Sequence, residues 1–71
     1  MGLYDDAIRE LEFSVEKIPD NVTANYHLGM SYYKRGDNKK AKEKLKKALS
    51  LDSSFSRADE ANKILSKLNQ A

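Results

Sequence analysis

Few residues in this sequence could support catalysis. The 71 residues include one histidine, His27, and no cysteine, so any side-chain nucleophile would depend on that single imidazole for activation. Residues 22–33, which surround it, contain no charged side chain that could orient it. We therefore predict that the protein is not an enzyme and has no catalytic residues.

Two pairs of adjacent acidic residues are the best candidates for metal ligands in the sequence. Asp5 is followed by Asp6, and Asp59 by Glu60. Both pairs lie near predicted helix starts, where carboxylates offset the helix dipole. Neither has the further ligands that a bound cation requires, and the lack of cysteine excludes thiolate sites and disulfides. We expect no metal and no cofactor.

The charged residues are distributed unevenly along the chain. Residues 1–21 carry six carboxylates against two cations, a net charge of −4. Residues 34–47 carry eight cations against two carboxylates, a net charge of +6. The overall charge of +2 conceals this division, which matters for association more than for the fold.

Six lysines between Lys39 and Lys47 dominate the basic segment. Lysines contact phosphate groups, so electrostatic binding of nucleic acid or an anionic surface is one hypothesis for function. However, these lysines surround most of the polar circumference of a predicted helix, and no aromatic residue between them would stack on bases. A solvated outer face is the favoured interpretation, and we predict no specific nucleic-acid partner.

Helices must position all of these residues, because apolar side chains recur with helical spacing throughout the chain. Pro19 ends the first apolar stripe, and Gly36 suits the left-handed residue that follows a second helix at about Val22 to Arg35. Asp52 and the two serines after it separate a third helix from a fourth. The pattern predicts an all-α fold of four helices, which short connections make antiparallel neighbours.

The sequence also repeats with a period of 34 residues, which is typical of a helical repeat. At this offset several small and apolar residues coincide, namely Gly2 with Gly36, Ala7 with Ala41, Leu11 with Leu45, Val15 with Leu49 and Ala24 with Ala58.

Residues 25–32, Asn-Tyr-His-Leu-Gly-Met-Ser-Tyr, resemble the pattern W-x2-L-G-x2-Y of the tetratricopeptide repeat family. Ala41-x3-Leu45-x2-Ala48 resembles the second-helix pattern A-x3-F-x2-A of the same family. The resemblance implies an α-solenoid fragment built of antiparallel helix-turn-helix repeats.

We divide the single domain, residues 1–71, according to this resemblance. Residues 2–21 correspond to the second helix of a preceding repeat, and residues 22–55 correspond to one full repeat. Residues 55–69 depart from the repeat pattern and resemble the extra helix that caps many such arrays.

The resemblance implies a scaffold or protein-interaction module with a protein or peptide as its partner. In this family the first helices of successive repeats line a concave surface that holds peptides or partner helices. The corresponding positions here are Thr23, Tyr26, Met30, Tyr33 and Lys34, with Arg57 as a basic residue near the last helix. Scaffold packing is the alternative role of the tyrosines.

Self-association is a second possible use of the chain, because the predicted first helix lacks the helix that would pair with it. Phe13 lies about 160° from Leu11 and Val15, off the main apolar stripe. It is either an ordinary exposed aromatic residue or, with Leu3 and Tyr4, part of a contact with a second copy. A homodimer is therefore a hypothesis.

The sequence gives no sign of membrane insertion. No apolar run approaches the roughly 18–20 residues needed to cross a bilayer. No signal peptide precedes the first helical pattern. We expect a cytoplasmic location by default.

Overall fold

The computed structural model describes residues 3–70, and the side chains of residues 4–69, as four α-helices. Their bounds are Leu3–Lys17 for α1, Val22–Arg35 for α2, Asn38–Leu51 for α3 and Ala58–Gln70 for α4. The described residues include no strand. The predicted all-α fold of four helices is confirmed.

The helices pack in chain order, α1 against α2, α2 against α3, and α3 against α4. Every helix contributes apolar side chains to one core, with α1 supplying Ile8 and the others supplying most of the rest. Its members are Ile8, Tyr26, Leu28, Tyr32, Ala41, Leu45, Ala48, Ala61, Ile64, Leu65 and Leu68. Burial of each large apolar side chain contributes about 1.5–3 kcal/mol, which makes this core the main stabilising feature.

The connection between α1 and α2 is fastened by two asparagines. The Asn21 side-chain oxygen accepts a hydrogen bond from the Ala24 amide at 3.0 Å and so caps α2. The fully buried Asn25 donates from Nδ2 to the carbonyls of Pro19, at 3.0 Å, and Asn21, at 2.9 Å. Asn25 occupies the position that tryptophan holds in the family pattern, and here it holds the turn against α2.

Gly36 makes the short turn between α2 and α3 possible. Its φ of 94° lies in the left-handed region, which glycine adopts without a Cβ penalty. The Gly36 amide donates to the Tyr33 carbonyl at 3.1 Å, and the Asp37 amide donates to the Tyr32 carbonyl at 2.8 Å. These two bonds form a Schellman motif. The Asp37 side chain then caps α3 by accepting from the Lys40 amide at 3.5 Å.

Helices α2 and α3 approach each other closely at Gly29. A Cβ atom on Gly29 would lie 2.8 Å from Leu45 Cγ and 3.1 Å from the Leu45 backbone nitrogen. Leu45 is fully buried at this contact. Only a residue without a side chain allows this packing distance, because the backbone on the α3 side leaves little room to shift.

The connection between α3 and α4 forms turns, and the last helix begins only after them. The Asp52 carboxylate accepts a hydrogen bond from the Ser54 amide at 3.0 Å, and the Phe55 carbonyl accepts from the Ala58 amide at 2.9 Å. These local bonds hold residues 53–57 in turns, so α4 begins at Ala58 and not at residue 55.

Tyr32 joins α1 to α2 and also lies beside α3. Its side chain is buried, and its hydroxyl donates a hydrogen bond to the Glu12 carboxylate of α1. The Arg35 guanidinium and the Lys40 ammonium each lie 5.6 Å from the centre of its ring. Burial, followed by the hydrogen bond to Glu12, raises the pKa of the Tyr32 hydroxyl above its ordinary value.

The two structural glycines differ in why they are required, and this difference predicts the effect of substitution. Gly29→Ala should lower the free energy of unfolding by about 1–3 kcal/mol through overpacking against Leu45. A Cβ atom at residue 36 would have free space around it. Gly36→Ala should therefore lower the free energy of unfolding by about 1–2 kcal/mol, and only because the backbone there is left-handed. Urea unfolding followed by circular dichroism measures both changes. Gly36→Asn should recover part of the loss, whereas Gly29→Asn should recover none.

The raised pKa of Tyr32 predicts a loss of stability at alkaline pH. An unfolded tyrosine releases its proton at about pH 10, while native Tyr32 keeps it, so the unfolded state binds fewer protons above that pH. The contribution of Tyr32 is fully present below about pH 10 and falls at higher pH by up to about 1.4 kcal/mol per pH unit. Urea unfolding across this pH range should show that the free energy of unfolding declines less steeply for Tyr32→Phe than for the unaltered protein. Parallel curves for the two proteins would contradict the assignment.

Candidate functional site

The predicted partner-binding residues of α2 differ in their exposure to solvent. Thr23 and Lys34 are exposed, and Met30 and Tyr33 are half-buried with one side packed against the core. Tyr26 is only 5% exposed and belongs to the core. The structure therefore brings four of the five α2 residues to the surface and places Tyr26 beneath it.

Tyr26 connects α2 to the last helix. Its ring meets that of Phe55 edge to face, with 5.6 Å between the ring centres. Its hydroxyl donates a hydrogen bond to Glu60 Oε1 of α4 at 3.2 Å. Burial and this hydrogen bond raise the pKa of Tyr26, and the positive charge of Arg57 partly opposes the shift. The exposed Arg57 thus lies beside the amino-terminal half of α2.

His27, the single histidine of the sequence, is a surface residue of α2. It is exposed, and its ring meets Tyr26 edge to face at 5.3 Å. Thr23, His27, Met30 and Lys34 are spaced at i, i+4, i+7 and i+11, which places them on one helical face. We call these four residues the α2 stripe. Their spacing was visible in the sequence, but their exposure was not.

Two clefts lie along α1. One of about 230 Å³ is lined by Glu12, Val15, Glu16, Leu28, Tyr32 and Lys44. A second of about 370 Å³ is lined by Asp5, Ile8, Arg9, Glu12 and Arg35. Carboxylates of α1 and at least one cation from α2 or α3 border each cleft. In the second cleft, Arg35 is already engaged in an ion pair with Asp5 at 2.8 Å.

The residues predicted to mediate self-association do not form one patch. Tyr4 is 43% exposed and Phe13 is 61% exposed, but they lie on different faces of α1. The Lys17 ammonium lies 5.3 Å from the centre of the Phe13 ring. The side chain of Leu3 lies outside the described residues. Self-association through these residues stays a prediction.

The lysines of α3 form a broad solvated surface. Four of them, Lys39, Lys40, Lys46 and Lys47, are exposed, and Lys42 and Lys44 are half-buried. Within the described part of the chain, the ion pairs involve Arg9 and Arg35 and none of these lysines. The surface is therefore free to contact anionic groups.

Among the side chains that the structure describes, no three His, Cys, Asp or Glu residues are grouped to hold a metal ion. Across residues 3–70, no helix is both long and apolar enough to span a membrane.

Comparison with known proteins identifies the central segment. A search of curated proteins gives no match to the chain. Among protein families, the one described as "Tetratricopeptide repeat" matches residues 22–55. This segment contains α2, the Gly36 turn and α3, which pack through the close contact of Gly29 with Leu45. The chain therefore contains a tetratricopeptide repeat, formed by residues 22–55.

Proposed function

We propose that the chain binds a peptide segment of another protein along the α2 stripe. Tetratricopeptide repeats serve as protein-interaction and scaffold modules, and catalytic activity has no support in the described residues. The half-exposed side chain of Met30, at the middle of the stripe, is the single observation that carries this choice of surface.

Met30 and the neighbouring Tyr33 suit the apolar part of such a contact. Both side chains pack on the core with one side and remain partly open to solvent with the other. A methionine side chain adapts to different apolar partners, and a tyrosine offers apolar area together with a polar hydroxyl. Side chains of leucine size in a bound peptide would bury apolar surface against these two residues and exclude water from the contact.

Basic residues at either end of the stripe favour an acidic peptide. Lys34 lies in the last turn of α2, and Arg57 lies beside Tyr26 near the other end. Lys34 lies eight positions after Tyr26, which corresponds to about 12 Å along the helix axis. An extended peptide covers that distance with about four residues. We infer a partner with acidic residues on both sides of a short apolar segment.

Tyr26 has a supporting part in this proposal. Its hydroxyl bond to Glu60 and its ring contact with Phe55 fix the start of α4 relative to α2. The position of Arg57, one residue before α4, depends on that contact. Tyr26 therefore positions the basic end of the stripe and need not touch the peptide.

The charge of the stripe predicts a selective effect of substitution. A synthetic extended peptide with two leucines between aspartates should shift the backbone amide signals of α2 in NMR spectra. Lys34→Glu should weaken binding about fivefold or more, because an attractive charge becomes a repulsive one. Lys47→Glu, an equal charge change on the exposed outer side of α3, is the matched control and should leave affinity nearly unchanged. Equal losses in both variants, or signal shifts outside α2 and α4, would contradict the proposal.

The unpaired lysines of α3 favour a second candidate function, electrostatic binding to nucleic acid or another anionic surface. Such binding would depend on counterion release, so its affinity should fall steeply as salt rises from about 50 to 200 mM. A fluorescent single-stranded oligonucleotide is a suitable probe, with the double variant Lys46→Gln, Lys47→Gln as the test. The variant should weaken binding and reduce the dependence on salt. Binding that salt and variant leave unchanged would exclude this function.

A further inference from the structure

Met30 is the only methionine among the side chains that the structure describes. The sequence contains one other, Met1, which lies outside the described residues. Met30 packs against the core with one side and remains partly open to solvent. A thioether that solvent reaches is open to oxidation to the sulfoxide, which converts an apolar side chain into a polar one. The chemistry of the α2 stripe can therefore change at its centre after the protein has folded.

Lys34 gives this change a local consequence. It follows Met30 at i+4, a spacing at which Cβ atoms lie about 5–6 Å apart on a helix. Long side chains of a helix point back towards its amino terminus, so the Lys34 side chain leans towards Met30. Among the described side chains, none of the ion pairs involves Lys34. A sulfoxide oxygen on Met30 would accept a hydrogen bond from the Lys34 ammonium, which can only donate.

We propose that Met30 is a modification site, and that its oxidation to the sulfoxide by a peroxide switches off peptide binding on the α2 stripe. The inference rests on the proposed function and adds the regulation of that same surface.

Hydrogen peroxide is a sufficient oxidant for this step. A lone pair of the Met30 sulfur attacks one peroxide oxygen, the O–O bond breaks, and an S–O bond forms. The second oxygen leaves with both electrons of the O–O bond, takes the proton from the first oxygen, and departs as water. The sulfur is oxidised by two electrons and the peroxide is reduced by two. Methionine sulfoxide reductases reverse the oxidation, so the change can act as a switch.

The sulfoxide would weaken peptide binding in two ways. Apolar side chains of the peptide would have to displace water from a polar group, which costs binding energy unless a new hydrogen bond replaces the lost one. Lys34 would also donate to the sulfoxide oxygen in competition with a carboxylate of the peptide. Oxidation of one atom therefore opposes both the apolar and the charged part of the contact.

The fold should survive this oxidation, because Met30 lies at the margin of the core. The large side chains that are fully buried are Leu28, Leu45 and Asn25. The close contact of α2 with α3 involves Gly29 and Leu45 and leaves Met30 out. The sulfoxide oxygen of Met30 can turn towards solvent on the side that is already open.

Peptide titrations before and after oxidation test the proposal. The full chain is treated with hydrogen peroxide until mass spectrometry shows one added oxygen on each methionine. Binding of the peptide with two leucines between aspartates is then followed by the amide signals of α2. Affinity should fall about tenfold after oxidation, because a polar group replaces an apolar one in the contact. Treatment with methionine sulfoxide reductases should restore it.

Met30→Leu is the matched control, because leucine keeps a similar apolar volume and does not form a sulfoxide. This variant retains Met1, so peroxide still oxidises the other methionine. It should bind the peptide nearly as tightly as the unaltered chain and lose no affinity after treatment. Met30→Gln places a polar group at the same position and should weaken binding without any peroxide.

The reverse effect gives an independent measurement. A bound peptide covers Met30, so saturating peptide should slow its oxidation about fivefold or more relative to that of Met1, as mass spectrometry of proteolytic fragments measures.

Distinct results would overturn the switch and the proposed function. Failure of the untreated chain to bind the peptide would contradict both. Binding that oxidation leaves unchanged, or an equal loss in Met30→Leu, would contradict the switch alone. Circular dichroism of the oxidised chain should show the helical content of the untreated chain. Loss of that helical content would also contradict the switch, because binding would then be lost through unfolding.

Discussion

The close contact of α2 with α3 at Gly29 and Leu45 is the constraint on which the rest of the structure depends. The two helices approach until a single added carbon would lie 2.8 Å from Leu45. Such packing excludes water from Leu45 and fixes the rotation of α2 about its own axis. Because side chains on a helix keep fixed angular positions, this rotation determines which residues of α2 point towards α1, towards α4 and towards solvent. Substitution at Gly29 would therefore disturb surfaces that contain neither of the two residues.

Two tyrosines of α2 transmit that orientation to the outer helices. Tyr32 bonds to Glu12 of α1, and Tyr26 bonds to Glu60 of α4. Both rings are buried and both hydroxyls meet a carboxylate, so each bond satisfies a polar atom that would otherwise be costly to bury. With α1, α3 and α4 fixed around it, α2 keeps one open face. The surface proposed for peptide binding is what these three contacts leave uncovered.

Features that residues within one turn determine were predictable from the sequence, whereas features that depend on contact with another segment of the chain were not. The bounds of α2 were predictable because Asn21 and Gly36 act within their own turns. The start of α4 at Ala58 was missed because a turn held by Asp52 and Phe55 competes with helix formation there. Spacing alone placed Tyr26 on the α2 face, but its burial depends on the ring of Phe55, which the periodicity of α2 does not encode. Spacing likewise placed the apolar residues of α1 on one stripe, whereas the exposure of each residue required the structure.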